Sequence, residues 1–214
     1  MSVTFLSDAL VEGAPPVSLA AHAPTIGLPL WTVPGGFTSH WTINPSGEAW
    51  CDTADGGGSG NPIFGANASL SPNVNISSDF KYFDGNCNPG LCIHMSADGL
   101  NGYVAYDAIG GFNVWRAYEV TAGVIGVVLL SFNMGAADCN VGLDYTGATL
   151  SLYKNGVSVA SVGDVTHPAA GYAGLFNFSL ADTISTGQHW KNVLGVYTTT
   201  IGGPDHYYRM MRGE

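Results

Sequence analysis

The stretch from Leu150 to Val162, LSLYKNGVSVASV, constrains the fold more than any other. Two runs of alternating apolar and polar residues flank Asn155-Gly156. Asn-Gly suits a two-residue hairpin loop, because both loop residues must accept positive φ. With those two residues as the loop, Lys154 is expected opposite Val157, Leu152 opposite Val159 and Leu150 opposite Ser161. Leu150, Leu152, Val157 and Val159 then share one face, and Ser151, Tyr153, Ser158 and Ala160 share the other. A hairpin with one apolar face belongs to an antiparallel sheet packed on a second layer.

The rest of the chain continues the pattern. Short strand signals occur at HWTINP (40–45), EAWCDT (48–53), NVNISSDFKYF (73–83), LCIHMSA (91–97), YVAYDAI (103–109) and NVWRAYEV (113–120). VIGVVLLSF (124–132), NVGLDYT (140–146), AGLFNFS (173–179) and LGVYTTT (194–200) complete the series. Gly-rich turn signals separate them, among them Asp84-Gly85, Asp98-Gly99 and Gly202-Gly203. No long segment carries helical periodicity between capping signals. The expected fold is all-β, an antiparallel two-sheet sandwich with Leu152, Val159, Leu175 and Phe176 turned inward. Residues 1–35 are rich in Pro and Gly and read as a wrapping arm, residues 36–201 as the sandwich, and residues 202–214 as a C-terminal arm.

Charge limits the partners. Only 10% of residues are charged, six are Lys or Arg, and the net charge is −10. An ordinary domain carries about 25% charged residues. The surface is therefore Ser, Thr, Asn and Gly, or it is covered by neighbouring subunits. No basic stripe exists to neutralise phosphates, which argues against nucleic acid and against an anionic membrane as partners. MSVTFLSDAL lacks the basic start and long apolar core of a signal peptide, so synthesis in the cytoplasm is expected. The most apolar run, 124–132, is too short to span a bilayer. Cys87 and Cys92 in CNPGLC could close a small loop disulfide, and no zinc-ligand spacing accompanies them.

From about Asn73 to Val196 the order of elements resembles the concanavalin A-like lectin/glucanase jelly roll, especially the LamG-like modules of bacterial and phage proteins. SSDFKYF is followed by LCIHMSADGLNGYVAYDAI and a long strand pair. Then TGATLSLYKNGVSVASVGDVTHPAAGYAGLF supplies Asn155-Gly156, Asp164 and the run from Gly171 to Phe176. The resemblance implies a jelly-roll sandwich in a family of hydrolases, lectins, adhesion modules and virion parts.

The family's glucanase branch uses a Glu-x-Asp-x-Glu strand, which holds two carboxylates at the spacing of a retaining enzyme. Here the glutamates are Glu12, Glu48, Glu119 and Glu214, and no two are close in sequence. No enzyme activity is expected. Calcium-binding lectins of this fold direct attention to Asp52 and Asp55 in CDTADGGGSG as oxygen ligands. Tyr103, Tyr106 and Trp115 are the aromatic candidates for stacking on a sugar, although Tyr103 and Tyr106 fall on opposite faces of an ideal strand. Tyr207, Tyr208, Arg209, Met210 and Met211 near the end of the chain are expected to dock at an intersubunit contact.

Together these features suggest a non-catalytic structural protein of a bacteriophage particle. It would decorate or cement the capsid, or adhere at the virion surface, after assembly in the host cytoplasm. Its partners would be other virion proteins or copies of itself. The alternative is a carbohydrate-binding lectin or tail-fibre receptor-binding domain that holds a cell-surface glycan. A glycoside hydrolase, the third reading, lacks both the signal peptide and the paired acids.

Overall fold

The computed structural model describes residues 2–10, 17–38, 40–53, 60–67, 73–82, 88–108, 114–163, 171–178 and 188–198. Fifteen strands run through them: β1 (Ser2–Asp8), β2 (Val17–Ser18), β3 (His40–Ile43), β4 (Ala49–Thr53), β5 (Asn61–Asn67), β6 (Val74–Tyr82), β7 (Pro89–Met95) and β8 (Gly102–Asp107). They continue as β9 (Val114–Thr121), β10 (Val124–Asn133), β11 (Cys139–Thr146), β12 (Thr149–Lys154), β13 (Val157–Gly163), β14 (Tyr172–Asn177) and β15 (Gln188–Thr198). One 3-10 turn, Leu19–Ala21, follows β2. Among the described residues no helix is long and apolar enough to cross a membrane.

The strands form two antiparallel sheets. The first has nine strands in the order β13-β12-β11-β6-β15-β4-β3-β2, with β1 sharing the far side of β15. The second has six, in the order β10-β9-β8-β7-β14-β5. The main core lies between them and contains Trp41, Ile76, Phe80, Leu91, Ile93, Trp115, Leu143, Leu152, Leu175 and Trp190. β6 shows how the sequence achieves this: Val74, Ile76, Ser78 and Phe80 are buried, whereas Asn75, Ser77, Asp79 and Lys81 are not. The chain is thus an all-β, two-sheet sandwich of the jelly-roll type.

The hairpin forms with Asn155 and Gly156 at φ of 50° and 76°. Its register agrees with the sequence reading for one pair and then departs from it. Lys154 faces Val157, but a bulge at Val159 sets Leu152 opposite Ala160 and Leu150 opposite Val162. The extra residue breaks the alternation, so Val157 is exposed and Val159 is half-buried at the rim of the core. Leu175 and Phe176 are both fully buried, but on opposite faces, as neighbours in a strand must be. Leu175 enters the main core. Phe176 joins a second cluster on the outer side of the six-stranded sheet, with Phe64, Cys92, Val104, Tyr106 and Tyr118.

Residues 2–10 and 17–35 contribute a strand pairing and buried side chains to the sandwich. β1 pairs with β15 from Ser2↔Thr198 to Asp8↔Val193. Leu6, Leu10, Leu19 and Trp31 are buried in the main core. The Asp8 carboxylate ties the segment together. It accepts hydrogen bonds from Trp31 Nε1 at 2.7 Å and Leu10 N at 2.9 Å, and lies 2.9 Å from His22 Nε2. The arm expected at 202–214 lies outside the described residues.

Candidate functional site

The outward side chains of the nine-stranded sheet include a row that crosses three strands. Pairing places Lys191 of β15 beside Asp79 of β6, and Asp79 beside Asn140 of β11. One pleat along β6, Lys81 is paired with His189. Neighbouring strands lie about 4.8 Å apart, so Lys191, Asp79, Asn140 and Lys81 form one polar surface, while His189 is wholly buried.

Glu48, immediately before β4, anchors one side of it. Its carboxylate is 2.6 Å from Lys81 Nζ, 3.3 Å from Lys191 Nζ and 3.4 Å from His189 Nδ1, and it accepts from Asn44 Nδ2 at 3.2 Å. Burial opposes the ionisation of Glu48. The hydrogen bonds from Lys81, Asn44, His189 and Lys191 outweigh burial and bring its pKa down to about 2. Trp50 stacks on His189 with ring centroids 4.8 Å apart and fixes the imidazole's plane. The chain has three lysines, and two of them converge on this one carboxylate.

A cavity of about 400 Å³ opens beside the cluster, lined by Asp79, Phe80, Lys81, Asp138, Cys139, Asn140, Asn155 and Lys191. Its shape depends on a bulge in β15. The ladder to β6 skips between Lys191 and Leu194, and Asn192 takes φ 48° there. Asn tolerates this left-handed conformation better than most residues. The bulge lets Asn192 Nδ2 donate to Asp79 Oδ2 at 2.8 Å, while Asn140 Nδ2 donates to Asp79 Oδ1 at 2.9 Å. The hairpin loop closes the other side. Asn155 N donates to Asn140 O at 2.8 Å, and Asn140 N donates to Asn155 Oδ1 at 2.9 Å. Asp138 Oδ1 accepts from Tyr82 N at 2.9 Å.

This arrangement has chemical capacity left over. Each carboxylate oxygen has two lone-pair sites, so Asp79 retains acceptor capacity beyond its two amides. The Lys191 ammonium carries three protons, of which its contact with Glu48 uses one. Acceptors and donors thus alternate across the cavity wall, as a polyhydroxylated ligand requires.

The residues singled out from sequence lie elsewhere. Trp115 is fully buried in the main core, where it meets Phe80 edge to face at 5.4 Å. Tyr103 is also fully buried and stacks on Tyr145 at 5.6 Å. Tyr106 is on the opposite face of β8, stacked between Tyr118 and Phe178 at 5.0 and 4.9 Å. Burial and the hydrogen bond with Tyr118 push its phenol pKa up. These three rings pack within the protein and do not share one groove. Asp52 is exposed and accepts a hydrogen bond from Thr42 Oγ1. Its expected companion Asp55 lies outside the described residues, as do Tyr207, Tyr208, Arg209, Met210 and Met211. Among the described residues no three His, Cys, Asp or Glu side chains come together as a metal site needs. Cys92 is a free, buried thiol whose pKa burial pushes up, and Cys87 lies outside the described residues.

No family model matches the sequence, and no curated protein matches it. Solved structures do. The exoplasmic/lumenal domain of VIP36 in its Ca2+/Man3GlcNAc-bound form aligns with a TM-score of 0.56 at 12% identity, over 85% of this chain and 89% of that one. The β-glucanase of Bacillus licheniformis aligns with a TM-score of 0.51 at 10% identity, over 88% and 100%. The carbohydrate recognition domain of Emp47p aligns with a TM-score of 0.52 at 8% identity, over 91% and 96%. The chain therefore has the concanavalin A-like lectin/glucanase fold. At these identities the likeness concerns the fold alone.

Proposed function

We propose that the chain is a carbohydrate-binding module that holds a saccharide in the cavity between β6, β11 and β15. One observation carries this reading: Asp79, Lys81, Asn140, Asn155 and Lys191 surround a cavity of about 400 Å³ on the outer face of the sheet. That volume is within the range of small-molecule sites, about 300–1,000 Å³. Sugar hydroxyls both donate and accept, and the wall offers both functions at neighbouring positions. The fold adds an analogy: VIP36 is bound to Man3GlcNAc in the aligned structure, and the Emp47p domain is a carbohydrate recognition domain.

The module binds without cleaving. Glu48 is held ionised by its lysines and has no proton to give to a leaving group at neutral pH. The carboxyl on this face that burial pushes up is Asp144. It lies four residues along β11 from Asn140, the partner of Asp79. That is roughly 13 Å from Asp79, beyond the 6.5–9.5 Å of an inverting pair. An assembly role on a phage particle is the second reading. The observation that favours it is an uncharged side wall formed by β10 and β13.

The test is a glycan array followed by calorimetric titration of the best binder. Asp79→Asn and Lys191→Met are expected to weaken binding by about tenfold or more, one lost charge-assisted hydrogen bond each, with the fold intact. No binder, or a binder whose affinity neither substitution changes, would remove the site. Hydrolysis of the bound glycan would overturn the non-catalytic part.

A further inference from the structure

The outward face of the nine-stranded sheet continues past the cavity. One pleat along β11 from Asn140, strand pairing brings Leu194 of β15, Ser77 of β6, Gly142 of β11 and Tyr153 of β12 into a row. One pleat further, Asn75, Asp144 and Ser151 stand side by side. Glycine inside a strand weakens it, and commonly marks a bulge, a tight bend or the close approach of a ligand or another backbone. The pairing of β11 with β6 and β12 runs through Gly142 without a shift, and Gly142 does not take positive φ. The atoms nearest to a Cβ there would be Tyr153 Cβ at 3.2 Å, Ile76 O at 3.6 Å and Ser77 Cβ at 3.7 Å, all on the two adjoining strands. The side chain that glycine omits would therefore crowd Tyr153, and its absence keeps the floor low between Ser77 and that ring. Tyr153 is half-buried, whereas Tyr103, Tyr106 and Tyr145 are buried. Burial and the charge of Asp144 push its phenol pKa up, so the hydroxyl lies near that carboxylate. Asp144 in turn accepts hydrogen bonds from the side chains of Thr146 and Asn75.

We propose that the binding site runs out of the cavity along β11 onto Tyr153 and Asp144, and that it takes a neutral oligosaccharide of two or three units. The proposal rests on the saccharide reading of the cavity. Length points to more than one sugar: from Asn140 to Asp144 the strand covers roughly 13 Å, more than a single pyranose ring reaches. The chemistry changes along this line as the surface of a glycan does. The cavity offers alternating donors and acceptors to the hydroxyls of a first unit. Tyr153 then offers an aromatic ring with a polar tip, which suits the apolar C–H face and hydroxyl rim of a second. Asp144 and Asn75 return to polar groups at the far end. Charge selects a neutral chain. Four carboxylates, Glu48, Asp79, Asp138 and Asp144, outnumber the Lys81 and Lys191 ammoniums along the path, and Lys154 Nζ is turned to Met134 O. The molecule as a whole carries −10, so uronate or sulfated chains are repelled.

The test uses the full chain on an array of neutral hexoses and N-acetylhexosamines, each printed as one, two and three linked units, beside uronic-acid trisaccharides. Calorimetry then titrates the best neutral binder at each length. Affinity is expected to rise about tenfold or more from one unit to three. Tyr153→Ala should remove that gain and leave the single unit bound as before, which also reports an intact fold. Tyr153→Phe keeps the ring and should keep most of the gain. Asp79→Asn, in the cavity, should weaken all three lengths alike. Equal affinity at every length overturns the extension and leaves the cavity reading standing. So does a Tyr153→Ala variant that binds three units as the intact chain does, or that loses as much affinity for one unit as for three. Tighter binding of the uronic-acid chains overturns the neutral assignment. No binder of any length, or binding indifferent to Asp79→Asn, overturns the cavity reading and the extension with it.

Discussion

At the scale of single residues, Glu48 links the sheet's stability to pH. Its pKa in the folded chain is about 2, against an ordinary 4.5. A depressed carboxylate contributes its full stability above the ordinary value and loses it as pH falls towards the folded value. The melting temperature is thus expected to fall progressively as pH drops from about 4.5 towards 2. Comparing the chain with Glu48→Gln isolates this contribution from that of other acids: the variant should show a shallower decline across the same window. An identical pH profile would mean that the carboxylate is not held by its neighbours. At pH 7 the substitution is expected to cost about 2 kcal/mol, less than a wholly buried pair. The discount reflects the lysines, whose side chains are 34% and 33% exposed. None of this site's residues stood out as a site in the sequence, although its strand pattern carried one signal. Alternation in NVNISSDFKYF puts Asp79 and Lys81 on one face of a strand. Glu48 and Lys191 reach that face from strands far away in sequence, and no local pattern announces such a meeting.

At the scale of elements, glycines explain where strands can lie. Gly171 and Gly174 flank the start of β14, and the family resemblance includes both. A Cβ on Gly174 would lie 2.0 Å from Ile63 O and 2.9 Å from Phe64 Cα, both backbone atoms of β5. Gly174→Ala must therefore separate β14 from β5, and is expected to destabilise by about 3 kcal/mol. Gly163→Ala is the control, since its Cβ would approach nothing nearer than Ala148 O at 3.7 Å. Chemical denaturation should show a lowered midpoint for the first and little change for the second. Equal effects would mean that glycine's conformational freedom, not its missing side chain, is what β14 uses. The strand pattern was legible wherever β-branched and aromatic residues cluster, as in β6, β9 and β12. β5 was not, because NPIFGAN carries a proline, a glycine and two asparagines. These are turn residues by local propensity; β5 is the terminal strand of its sheet, where a proline is tolerated, and burial of its side chains overrides that propensity. The register of β13 was hidden for a different reason. A bulge changes pairing by one residue without leaving a mark in an alternating sequence.

At the scale of the whole molecule, residues 2–10 decide how the nine-stranded sheet is completed at β15. The prolines and glycines downstream made this end read as an arm, because they mask a seven-residue strand in front of them. In the folded chain β1 covers the stretch of β15 from Val193 to Thr198 that β4, paired at Trp190, does not reach. Leu6 and Leu10 are wholly buried, and a Cβ on Gly195 of β15 would meet Phe5 at 2.6 Å. Removing residues 2–10 would uncover this edge and take four buried groups, Phe5, Leu6, Asp8 and Leu10, from the interior. Burial of a large apolar side chain contributes roughly 1.5–3 kcal/mol, so the three apolar groups alone amount to about 4–9 kcal/mol. Loss of Asp8 would also strip Trp31 Nε1 of its acceptor. The sum is comparable to the whole stability of a typical domain, about 5–15 kcal/mol. Deletion of 2–10 is therefore expected to abolish the cooperative melting transition and the near-ultraviolet dichroism of the packed tryptophans. Asp8→Ala separates the polar tie from the apolar packing. It should leave a folded chain that melts at a lower temperature, by the equivalent of about 2–3 kcal/mol for a buried hydrogen-bonded charge. A truncated chain that melts like the intact one would show that this segment wraps the sandwich after all.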